Sequence, residues 1–264
     1  LVLACALAAA LLLPAAARAL TFDQAIDRLV AQGYPQRIVR QLNSYGTSAL
    51  GMRMGATSAD NAAAEFIAAE MERLGMANVR LEKVAVDQWE WRGASVTVGG
   101  RELTATSFGG VPPTPFGGVT GELVYAGLGS APEFDALGDV SGKVAIVDFA
   151  SDYFWLNLPG LEARLRGARA VIMTYNPLFP YYYGIAADAL GTNDGSYDAD
   201  ACPMVYVCQR DGDWLKDMVK AGATSATVVN DVLYKSADDG AFGYNVYGEV
   251  PGSLKNGELV VYGV

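Results

Sequence analysis

The sequence predicts an α/β protein built in two parts, on three observations. A helical stretch over Ser58–Gly75 runs into an alternating strand at Val79–Val84, one helix-then-strand unit. Short apolar runs between Gly121 and Val229, interleaved with two short helical stretches, mark a second module that is α/β or β-rich. The run Glu258–Val264 is nearly all apolar, as a central strand buried on both faces would be.

Taken in order, Leu1 to Leu13 is an apolar run followed by Pro14 and Ala15-Ala16-Ala17-Arg18-Ala19. Ala17-Arg18-Ala19 fits an A-x-A cleavage pattern, so residues 1–19 are expected to be a partial secretory signal and Leu20 the mature start. The stretch is short for a membrane span, which needs about 20 residues. Thr21-Phe22-Asp23-Gln24 has the capping-box pattern, and Phe22, Ile26, Leu29 and Val30 form one helical face. A second helix is expected after Pro35, burying Ile38, Val39 and Leu42. In the third, Ser58 is the expected cap, Ala63, Phe66, Ile67, Met71 and Leu74 form the buried stripe, and Gly75 stops it.

The Gly-, Pro-, Ser- and Thr-rich stretch Thr104–Gly118 reads as a connection. Beyond it, Gly121–Tyr125, Val144–Asp148, Ala170–Thr174, Met204–Val207 and Thr227–Val229 read as strands, with helices at Leu161–Arg166 and Asp211–Lys220. Lys235–Gly240 is a polar turn, Tyr244–Val250 a strand, and Pro251-Gly252-Ser253 another turn.

Composition narrows the chemistry. The 264 residues are 52% hydrophobic and 18% charged, with a net charge of −10, which argues against nucleic acid and anionic membrane surfaces as partners. There is no histidine, so metal binding or triad chemistry of the usual kind would have to rest on carboxylates. Cys202 and Cys208 flank a strand that would hold their Cα atoms about 20 Å apart, so a disulfide requires a bend. The Cys5 region is a poor lipobox, because the apolar core continues past it.

Two stretches resemble known families. Gly121–Gly127, Gly138-Asp139-Val140-Ser141-Gly142-Lys143 with the strand after it, Gly167–Ile172, Pro203-Met204-Val205 and the Asp211–Gly222 helix resemble a protease-associated (PA) domain. Tyr244–Ser253 with Glu258–Gly263 is similar to the entry into the catalytic core of M28 aminopeptidases, and Arg53–Thr57 with the following helix resembles the N-terminal part of that domain. The resemblance implies an incomplete peptidase α/β domain, of the phosphorylase/hydrolase-like mixed-sheet kind, with an inserted PA-type β-rich α/β module. The expected boundaries are 1–19 for the signal, 20–95 for the N-terminal peptidase portion, 96–232 for the PA insert and 233–264 for the start of the catalytic core. It further implies an exported enzyme, secreted or periplasmic, acting on peptides or proteins with two zinc ions. The family's H-x-D motif would follow Val264, so the resemblance assigns no catalytic, metal or cofactor-binding residue to this chain and implies that it is inactive alone. The alternative is a non-catalytic recognition protein.

Local candidates have plainer readings. Asp148, Asp152, Asp188, Asp194, Asp198 and Asp200 are candidates for a carboxylate metal site, with Asn193–Asp200 as a weak calcium loop, but read better as acidic surface. Asp238-Asp239 reads as a solvated hinge, and Phe108-Gly109-Gly110 as a loop without a phosphate-binding lysine. Trp155 and Tyr181-Tyr182-Tyr183 are candidates for an aromatic contact surface. An unfinished sheet exposes apolar edges, so residues 20–264 are expected to aggregate and 96–232 to be soluble alone.

Overall fold

The computed structural model describes residues 21–46, 53–107, 109–149, 158–175, 201–222, 224–252 and 260–261. The chain divides into two compact units, Leu1–Ser44 and Tyr45–Val264. The expected signal segment, Asp152, Trp155, the tyrosine run, the acidic loop, Phe108 and almost all of the Glu258–Val264 run lie outside the described residues.

In the first unit, α1 (Phe22–Ala31) and α2 (Tyr34–Asn43) form a helical pair. The predicted capping box is present. Gln24 N donates to Thr21 Oγ1 at 3.3 Å and Thr21 N to Gln24 Oε1 at 3.1 Å. The expectation of buried faces is not met. No residue of either helix is buried, and Phe22, Val30 and Val39 are exposed. Two short helices offer each other too little area to cover both apolar stripes.

The second unit begins with α3 (Ser58–Arg73), whose cap is Thr57 rather than Ser58. Thr57 has extended backbone, its Oγ1 accepts from Asp60 N at 3.3 Å, and its hydroxyl donates to Met54 O at 2.7 Å. Ser58 is already helical and exposed. The C-terminal end is as expected. Gly75, at φ +81°, lets its N–H reach Glu72 O and Met76 N reach Met71 O, a Schellman closure. Of the expected stripe, Ala63 is buried but Leu74 is 54% exposed, since it lies in the last turn beyond the packing surface.

The helix packs on a two-stranded antiparallel sheet, β1 (Ala77–Ala85) with β9 (Phe242–Glu249). These segments, far apart in sequence, bracket a closed barrel. Its strands are β2 (Gln88–Val98), β3 (Arg101–Ser107), β4 (Val119–Tyr125), β5 (Val144–Phe149), β6 (Ala170–Tyr175), β7 (Met204–Tyr206) and β8 (Ser225–Lys235), in the order β2-β3-β7-β6-β5-β4-β8. β4 to β7 are parallel neighbours and the remaining pairs antiparallel, so the sheet is mixed. The parallel strands need crossovers, and α4 (Ala131–Leu137) and α5 (Leu158–Leu165) supply those into β5 and β6. The helix α6 (Gln209–Ala221) then leads from β7 into β8.

Three strand assignments differ from expectation. The Thr104–Gly118 connection begins only after β3, whose Thr and Ser residues read as turn formers but suit a strand that buries Leu103 and Ala105. β8 is much longer than Thr227–Val229. β2 starts at Gln88, within the stretch expected to end the peptidase portion, and β8 continues past residue 232 to Lys235. The barrel therefore crosses both boundaries expected for the insert. The helix α4 is an addition to the expected elements, and Ser130 and Glu133 mark its start with a capping box.

Two apolar clusters hold the barrel. Along β5, Ala145 and Val147 enter one and Val144 and Ile146 the other, which explains a run apolar at every position. In β2 the register shifts between Trp91 and Gly93, and the faces swap with it: Trp89 and Trp91 join the first cluster, Val96 and Val98 the second.

Candidate functional site

Asp148, the one candidate carboxylate within the described residues, is the last residue but one of β5 and is 5% exposed. A buried carboxylate must be paired or neutralised. Lys216 on α6 meets it at 3.1 Å, and Tyr125 of β4 donates its hydroxyl to Asp148 Oδ2 at 2.6 Å. Lys216 also reaches Asp213 at 2.9 Å. Burial opposes the charge on Lys216, but its hydrogen bonds to Asp213 and Asp148 outweigh that and raise its pKa. Burial and the bond to Asp148 push the Tyr125 hydroxyl up as well. The charge of Asp148 is thus already balanced within the fold.

The second buried carboxylate, Asp211 on α6, is held by Arg101 at 3.0 Å and accepts from the Cys208 thiol at 3.3 Å. Arg101 in turn lies over the Trp214 ring, 4.3 Å from its centroid. Cys202 and Cys208 are free and buried. The straight strand between them keeps them apart, and Cys202 donates instead to Ala168 O at 3.1 Å. Burial raises the Cys202 thiol to about 11, against the pull of Arg164. Neither thiol is an activated nucleophile.

Among the described residues no group of three or more His, Cys, Asp or Glu is placed to hold a metal ion. Asp238 and Asp239 are exposed in the turn Ser236–Gly240, where Asp239 Oδ2 accepts from Ser236 Oγ at 2.9 Å.

One open cleft lies on the barrel, with a volume of about 610 Å³. Pro112, Pro113 and Pro115 line it from the loop after β3, with Arg164, Arg169 and Cys202 on its other walls. Sequence reasoning did not single out these residues as a group. Gly167-Ala168-Arg169 was legible as a strand approach and Arg164 as helical, but nothing in their spacing brings them to the prolines.

No protein-family model matches the chain. Over 178 residues, 66% of this chain, it is 27% identical to Aminopeptidase YwaD of Bacillus subtilis (strain 168), covering 35% of that protein. Among solved structures, an aminopeptidase from Aneurinibacillus sp. strain AM-1 aligns with a TM-score of 0.60 at 22% identity, over 83% of this chain and 49% of that one. BSAP, a zinc aminopeptidase from Bacillus subtilis, gives 0.57 at 22% identity, over 81% and 47%. A peptidase M28 precursor from Shewanella amazonensis SB2B gives 0.60 at 19% identity, over 82% and 50%. The chain spans about half the length of these solved relatives and about a third of the curated one. The mixed α/β fold described above matches about half of each of these aminopeptidases, one of them a peptidase M28 precursor, and the chain is a partial, 27% identical relative of Aminopeptidase YwaD.

Proposed function

We propose that the chain is part of an exported zinc aminopeptidase, in which residues outside these 264 supply the metal site. The sequence similarity to a curated aminopeptidase over two thirds of the chain is the observation that carries this reading. The residues present do not fit a zinc pair. There is no histidine, and the two carboxylates buried among the described residues, Asp148 and Asp211, are committed to Lys216 and Arg101. No hydrolytic step is therefore assigned to them. In this reading α3, β1 and β9 belong to the peptidase portion, and the barrel is a PA-type insert that covers the site or selects peptides rather than reacting with them.

A non-catalytic recognition protein is the second reading. Hydrolysis of leucine p-nitroanilide, with and without added zinc and a chelator, separates the possibilities. The 264-residue chain is expected to show no turnover, and the product of the complete reading frame is expected to show turnover that the chelator abolishes. Turnover by the 264 residues alone would overturn the assignment of the metal site elsewhere. An inactive complete product would favour the recognition reading.

A further inference from the structure

The cleft on the barrel has features that packing does not require. Arg164 is exposed near the end of α5 and has no ion-pair partner among the described residues. Arg169 gives one N–H to Thr120 O at 2.8 Å and keeps its remaining donors. Among the described residues no lining residue is acidic, in a chain whose net charge is −10. Two arginines in an acidic protein, lining one concavity without a counter-charge among the described residues, make a local site for an anion.

The opposite wall is apolar and fixed. Thr114 N donates to Asn230 O at 3.0 Å, Asn230 N to Thr114 Oγ1 at 3.0 Å, and Asn230 Nδ2 to Pro112 O at 3.1 Å. Gly118 N closes the loop onto Pro115 O at 2.8 Å, with Gly117 and Gly118 at φ +84° and +83°. Phe116 stands between the lining residues Pro115 and Gly118, at the rim of the cleft rather than in its wall, and its ring is fully exposed. Prolines and an exposed aromatic on a pinned loop lose little conformational entropy when something docks on them.

We propose that this cleft docks a peptide segment that carries a glutamate or aspartate next to an apolar or aromatic residue. The carboxylate is received by Arg164, assisted by Arg169, in charge-assisted hydrogen bonds. The neighbouring apolar side chain lies on the prolines and Phe116. A volume of about 610 Å³ suits a few side chains of such a segment. The proposal stands apart from hydrolysis, because binding is read without turnover.

The test is fluorescence polarisation with the full chain and a fluorescein-labelled octapeptide in which glutamates flank one phenylalanine. A counterpart with lysines in place of the glutamates is the control. The acidic peptide is expected to bind and the basic one not, with affinity falling as salt is raised. Arg164→Glu is expected to weaken binding about tenfold and Phe116→Ser about fivefold, with melting curves unchanged because both side chains are exposed. Equal binding of the two peptides, no binding of either, or full affinity in Arg164→Glu overturns the proposal. So does binding that emerges only when Asp194, Asp198 and Asp200 are changed to Asn, since the chain's own acidic stretch would then be the occupant.

Discussion

Lys216 carries the most consequential charge in the described core. Its ammonium is nearly buried and satisfied by Asp148 at 3.1 Å and Asp213 at 2.9 Å, so it ties α6 to the end of β5. Removing one partner of such a pair leaves the other buried and uncompensated, at a cost of about 3–5 kcal/mol. Lys216→Met is expected to lower unfolding free energy by that order at pH 7, measured by urea denaturation. The pH dependence has a definite sign. A lysine whose pKa is raised on folding contributes its full stabilisation below its unfolded value, about 10.4, and loses it as pH climbs through the folded value. The gap between wild type and Lys216→Met is therefore constant through neutral pH and closes above about pH 10. A gap that stays constant to high alkalinity would mean the ammonium charge contributes nothing there. Asp148 was visible in the sequence as a carboxylate ending a strand. Its partner was not, because Lys216 belongs to a different element and reads there as a solvated helical residue.

Among the elements, α3 shows how a helix start is decided by the backbone. Thr57 and Ser58 are both good capping residues, and by type the sequence slightly favours Ser58. Thr57 is the one with extended φ and ψ, a hydroxyl bonded to Met54 O, and 2% exposure. Thr57→Ala is expected to destabilise by about 1 kcal/mol, and Ser58→Ala to change stability by only a few tenths, in thermal melts of the full chain. A larger loss in Ser58→Ala than in Thr57→Ala would place the cap at Ser58 after all. Gly212 makes a similar point for α6, since a Cβ there would overlap the Thr174 side chain on β6. That close approach lets the helix sit against the parallel strands, and no local pattern announces it.

At the scale of the whole molecule, the barrel is closed by the long pairing of β2 with β8, from Gln88 opposite Lys235 to Val98 opposite Ala226. Cutting at residues 96 and 232 would remove Trp89 and Trp91, which are 7% and 4% exposed and belong to the first apolar cluster. Each buried tryptophan is worth about 3–5 kcal/mol, so their joint loss exceeds what a small domain can spare. A fragment of residues 86–237 is expected to unfold in one cooperative transition by circular dichroism. A fragment of residues 96–232 is expected to lack that transition. Cooperative melting of the shorter piece would show that β2 is dispensable and return the boundary to where the sequence alone suggested it.

The sequence by itself determined the α/β class, most of the strands and two helix ends, because these depend on local spacing: apolar runs at Val144–Val147 and Ala170–Met173, a glycine at the end of α3, a capping box at Thr21. It also carried the resemblance to the M28 aminopeptidases through three motif-bearing stretches in order. Only the tertiary structure decided that β2 and β8 pair, that a register shift turns Trp89 and Trp91 to a different cluster from Val96 and Val98, and that Asp148 meets Lys216. It alone brings Arg164 and Arg169 to face the prolines. Each of these is a contact between residues distant in the chain. Hydrophobic periodicity reports which face of an element is covered, but not which other element covers it.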